Sequence, residues 1–160
     1  MCKAAPLEDK RMRKIRSLLA CTLFFVGTQS ASSASGELAI IVNSNNQVAE
    51  ITAEQVASIF LGKTRRLPDG TKVIPIDQFE GEKPRAEFYN KVVQKSQSQL
   101  NSYWSRLIFT GKGQPPFAVT GDSEVLEFIA SNPNMIGYVD LATIERNSAL
   151  GDIKVLLTIR

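Results

Sequence analysis

Short apolar runs and helical-period stretches alternate along this chain, separated by polar or Gly/Pro-rich breaks. Leu38-Ala39-Ile40-Ile41-Val42 is a continuous apolar run ended by Asn43-Ser44-Asn45-Asn46, the pattern of a buried strand. Thr52 with Gln55 forms a capping-box signature, Ile51, Val56, Ile59 and Phe60 follow at helical spacing, and Gly62 supplies a C-terminal stop. Leu67-Pro68-Asp69-Gly70 is a turn, because Pro fixes φ and Gly accepts a positive one. Val73-Ile74-Pro75-Ile76 reads as a second strand, which Pro75 pushes towards a sheet edge. Helices are predicted over Arg85 to Val93, over Ser98 to Phe109, and from a cap at Asp122 or Ser123 as far as Asn132-Pro133. Phe117-Ala118-Val119, Met135 to Val139 and Ile153 to Leu157 complete the strands. Strands alternating with amphipathic helices predict an α/β sheet covered on both faces.

The first 34 residues break this rhythm. Lys10 to Arg16 is basic, Leu18 to Val26 is apolar, and Ala31-Ser32-Ser33-Ala34 is small, which are the three parts of a secretory leader with cleavage expected after Ala34. The start lies at Met1 or Met12. The apolar run falls short of the roughly 18–20 residues that span a bilayer. Leu18-Leu19-Ala20-Cys21 loosely resembles a lipid-attachment box, but Leu23-Phe24-Phe25-Val26 continues the apolar run beyond it, which argues against lipidation. Removing residues 1–34 predicts a single domain, 35–160, without membrane insertion.

That removal changes the composition. The whole chain of 160 residues has a formal charge of +3, whereas residues 35–160 hold 13 basic and 14 acidic residues, a formal charge of −1, and no Cys. The case for a nucleic-acid partner goes with the leader. The chain has no His at all, which excludes Ser-His-Asp and Cys-His nucleophile systems, and neither a metal site nor a cofactor site is expected.

Candidate chemistry lies where strands end in polar loops: Asn43 to Gln47, Asp77 to Lys83, and Thr120 to Ser123. Each leads into a helix, whose first N–H groups and positive dipole end suit an anion. Arg85 falls in the first turn of its helix, where the dipole disfavours a cation. Either a bound oxyanion or a nearby Glu80, Glu82 or Glu87 offsets that penalty. Gly111-Lys112-Gly113 lacks the phosphate-loop pattern and reads as a surface turn. Tyr103-Trp104 reads as core, and Asp77 and Glu80 read as solvated or helix-capping groups rather than as a catalytic pair.

Ile59-Phe60-Leu61-Gly62-Lys63, Leu67-Pro68-Asp69-Gly70, Val73-Ile74-Pro75, Arg85-Ala86-Glu87-Phe88-Tyr89, Tyr103-Trp104, Phe109-Thr110-Gly111-Lys112-Gly113 and Ile136-Gly137-Tyr138-Val139 resemble, in order, the short bacterial relatives of phosphate-binding periplasmic proteins. The resemblance implies a single doubly wound lobe of a type II periplasmic-binding-protein-like fold, with helices on both faces of a mostly parallel sheet. It also implies export to the periplasm, no catalysis, and phosphate or a similar oxyanion as ligand. The implied partner is an ABC transporter permease or another periplasmic protein. The residues expected to meet the ligand are Asn43, Ser44, Asn45, Gly81 and Arg85. Full-length phosphate binders carry Arg-x-Asp-x-Ser-Gly-Thr after the matching strand, where this chain has Asp77-Gln78-Phe79-Glu80-Gly81-Glu82-Lys83. Glu82 stands where the short relatives often have Ser. That carboxylate motivates the alternative, a non-catalytic periplasmic accessory protein that kept the fold and lost the ligand.

Overall fold

The computed structural model describes residues 36–147 and 151–160, which belong to one compact unit, Ser33–Arg160. The leader expected over residues 1–34 lies outside the described residues. In chain order the elements are β1 (Leu38–Asn43), α1 (Ala53–Phe60), β2 (Ile74–Gln78), α2 (Lys83–Phe88), a π-helical turn (Tyr89–Val93), α3 (Gln97–Phe109), β3 (Phe117–Val119), α4 (Gly121–Ser131), β4 (Met135–Asp140), α5 (Leu141–Arg146) and β5 (Ile153–Ile159).

The five strands form one sheet in the order β3-β2-β4-β1-β5. β2 pairs in parallel with both β3 and β4, while β1 is antiparallel to β4 and to β5. Four strands therefore point one way and β1 runs against them. β1 is buried on both faces, as its unbroken apolar run requires. Leu38, Ile40 and Val42 join α1, the π turn and α3 in one core, and Ala39 and Ile41 face α4 in a second. The sheet is thus covered on both faces.

Local signals account for most boundaries. Thr52 and Gln55 make the capping box of α1, and Gly62 follows its C-cap Leu61 at φ +67° with Trp104 packed above it. A second capping box, Ser96 with Gln99, starts α3. Pro75 does not mark an edge, because β2 lies inside the sheet. β3 begins opposite Ile76, so the missing Pro75 N–H faces no strand on that side. Gly137 lets α4 approach closely: a Cβ there would lie 2.8 Å from Val125 Cγ1 and 2.9 Å from Ile76 Cγ2.

Candidate functional site

The carboxyl ends of β2, β3 and β4 lie at one end of the sheet with the starts of α2, α4 and α5. Successive strand residues point to opposite faces, so β2 ends by sending Asp77 and Gln78 to different helix layers. Asp77 is buried. Its Oδ2 accepts from Tyr89 Oη at 2.7 Å, and its Oδ1 accepts from Tyr138 Oη and from the Gln78 N–H. Burial, and then the Asp77 charge, push the phenols of both Tyr89 and Tyr138 well above their ordinary value. Both tyrosines therefore stay neutral donors to a carboxylate. Phe88 stacks on Tyr138 with ring centres 4.1 Å apart and sets the phenol's direction.

Gln78 serves the other face. Its Nε2 donates to Asp122 Oδ1 at 2.9 Å and to the Tyr138 carbonyl, while Asp122 Oδ2 accepts from Thr143 Oγ1 and from the Asp140 N–H. Asp122 thus joins the start of α4 to β4 and α5. Gln78 Oε1 is buried and accepts from no described residue.

Arg85 is the third residue of α2, close to its predicted place, and its side chain is 14% exposed. Nη1 donates to Gln97 Oε1 at 2.6 Å, Nε lies 3.6 Å from Asp77 Oδ2, and the guanidinium covers the Tyr89 ring. Gln97 Nε2 in turn donates to Glu80 Oε2, which ties the loop after β2 to α3. The cation in the first turn is offset by Asp77, which is buried rather than solvated or helix-capping as its sequence suggests. Glu82 is the N-cap of α2 and makes no side-chain cap bond, and Gly81 sits exposed at φ +103° in the turn before it.

The five residues expected to form one site are not brought together. Gly81 and Arg85 lie at this end, but β1 is antiparallel to β4, so its carboxyl end, with Asn43, Ser44 and Asn45, is at the opposite end of the sheet. Asn43 has a different task there: its Nδ2 donates to the carbonyls of Ile129 and Ala130 at the end of α4, and its Oδ1 accepts from the Asn45 N–H. Ser44 N–H donates to the Asp152 carbonyl. Asp77, Gln78 and Asp122 fall in the polar loops marked by the sequence, and Tyr89 and Tyr138 in segments of the resemblance, but no motif assigns any of them, or Gln97, its contact at the carboxyl end. The visible hint was Asp77-Gln78 continuing an apolar strand without a turn residue between.

No family model and no curated protein matches the sequence. Among solved structures, the chain is similar to PstS from Borrelia burgdorferi, with a TM-score of 0.57 and 17% identity over 76% of this chain and 47% of that one. It is equally similar to an ABC-type phosphate transport receptor from Vibrio cholerae, with a TM-score of 0.57 and 16% identity over 76% of this chain and 47% of the receptor. The chain spans about half the length of these structures. What it shares with them is their mixed α/β periplasmic-binding-protein fold.

Proposed function

We propose that the chain is an exported, non-catalytic solute-binding module, one lobe in size, that takes a small oxyanion, phosphate foremost, at the carboxyl end of its sheet. The observation that carries this reading is the placement of Arg85 beside the uncapped start of α2, in a fold shared with a receptor whose name describes phosphate transport. Gly81 and Arg85 are the residues offered to the ligand, which would replace Gln97 on the guanidinium. Residues 1–34 are the leader, residues 35–160 act in the periplasm, and an ABC transporter permease is the proposed partner.

A second reading has its own support. Glu80 and Glu82 flank Gly81, and Arg85 already holds Gln97 and faces Asp77, an arrangement suited to a module that kept the fold as an interaction surface. Titration calorimetry of the processed protein with phosphate and with sulfate separates the two. Heat with phosphate that disappears in Arg85→Gln supports the binding reading. Heat only in Glu82→Ser supports loss of the ligand, and no heat in either protein removes the oxyanion from both accounts.

A further inference from the structure

We infer that the end of the molecule opposite the candidate ligand face docks on an anionic lipid surface. This end gathers the amino ends of β2 and β3, the loop after α1, the last turn of α3 and the loop that follows α3. From Phe88 to Gly121 the sequence contains Lys91, Lys95, Arg106 and Lys112 but no Asp or Glu, and from Gln55 to Pro68 it contains Lys63, Arg65 and Arg66 and again no acid. The fold brings the two stretches together, since Arg65, Ile108 and Lys112 line one shallow concavity. Arg65, Arg106 and Lys112 are exposed and form no ion pair among the described residues. Residues 35–160 carry a formal charge of −1, so this basic end is a local concentration rather than a property of the whole domain.

Apolar side chains stand among these cations. Ile108 is 57% exposed and Phe109 is 93% exposed at the last two positions of α3. Phe109 lines neither of the concavities beside it and stands at the helix end, next to the loop that contains Gly111 and Gly113. Apolar side chains near Lys and Arg that form no ion pair among the described residues match the composition of surfaces that rest in the headgroup region, where the cations meet anionic lipid and the apolar groups enter the acyl boundary. No described helix is long and apolar enough to cross a membrane, so the contact is peripheral. Docking by this end would leave the carboxyl ends of β2, β3 and β4 facing away from the bilayer.

The test is co-sedimentation with vesicles of phosphatidylcholine containing phosphatidylglycerol and with vesicles of phosphatidylcholine alone. The chain is purified as the cell delivers it, with its N-terminus read by mass spectrometry. The expected result is binding to the anionic vesicles only, weakening as salt is raised. Each neutralised cation should weaken binding about fivefold, so Arg65→Glu with Lys112→Glu should weaken it at least 25-fold, a rough estimate from the surface potential. Phe109→Ser should weaken it while leaving its salt dependence in place. Thermal unfolding of the variants confirms that they fold, as exposed positions lead one to expect. Absence of binding to anionic vesicles overturns the inference, and so does binding that neither variant changes. Capture by polyglutamate, or self-association abolished by Arg65→Glu with Lys112→Glu, in a protein that ignores vesicles, would assign the basic end to an acidic protein or a second copy and overturn it equally.

Discussion

Replacing Tyr138 by Phe removes one hydroxyl from the buried Asp77 carboxylate and little else. The ring stays stacked on Phe88 at 4.1 Å, with planes 4° apart, and within 5.6 Å of Phe60, so core volume and ring contacts are kept. What is lost is the hydrogen bond to Asp77 Oδ1 and a longer one, 3.3 Å, from the Gln78 N–H to the phenol oxygen, leaving the carboxylate with the Tyr89 hydroxyl, the Gln78 N–H and the more distant Arg85 Nε. A hydrogen bond to a charged group contributes about 1.5–3 kcal/mol, and its buried partner loses that contribution without gaining water. For a domain of this size, that corresponds to a fall in Tm of about 6–12 °C. Urea unfolding followed by circular dichroism should show a lower midpoint with an unchanged slope, the sign that stability rather than compactness has changed. Tyr89→Phe should behave alike, and the double variant should lose more than the two losses added, because both hydroxyls serve one carboxylate. A loss below about 0.5 kcal/mol in Tyr138→Phe, the range of an inconsequential surface substitution, would refute the assignment of Asp77 as an anchored buried charge.

Three further outcomes follow from the same contacts. Tyr89 and Tyr138 are raised above the ordinary value of 10.0 by burial and by Asp77, so the folded state retains protons that the unfolded chain releases. Stability is fully present below pH 10 and should fall above it by about 1.4 kcal/mol per pH unit for each tyrosine, with the slope halved in Tyr138→Phe, as alkaline unfolding curves would read directly. Asn43→Ala removes the bonds to the Ile129 and Ala130 carbonyls and should cost about 1–3 kcal/mol in urea unfolding without altering any phosphate titration. Gly137→Ala places a methyl against Val125 and Ile76, two β-branched side chains with little freedom to move, and should cost about 1–3 kcal/mol by the same assay.

The elements were legible because their signals are local. The capping box at Thr52, the stop at Gly62, the run from Leu38 to Val42 and the turn at Leu67 to Gly70 each act within a few residues, and each produced the expected structure. The short α5 was missed. It depends on Asp140 accepting from the Ala142 N–H, a cap that follows directly on a strand with no loop to announce it. The opposite direction of β1 was illegible for a different reason. A strand buried on both faces has the same apolar run whether its neighbours are parallel or antiparallel, so hydropathy carries no information about its direction.

That one undetermined direction explains why the expected ligand site separated into two. The rule that ligands gather at strand carboxyl ends groups Asn43 to Asn45 with Gly81 and Arg85 only if all strands point the same way. Reversing β1 moves the Asn cluster to the far end, where its amide serves the last carbonyls of α4. The same reversal places the start of β1, not its end, beside the site: the Gly36 N–H donates to Glu87 Oε1, and the Gly36 carbonyl accepts from Lys91 Nζ. Arg85 remained legible because an unfavourable position demands compensation, and only the identity of the compensating group was hidden. Asp77 supplies it from the preceding strand, eight residues away in sequence and reachable only once β2 and α2 have packed. Any oxyanion reaching Arg85 therefore meets a guanidinium already facing a buried carboxylate and must compete with Gln97 at Nη1. For the proposed oxyanion site, affinity depends first on how readily Gln97 gives way.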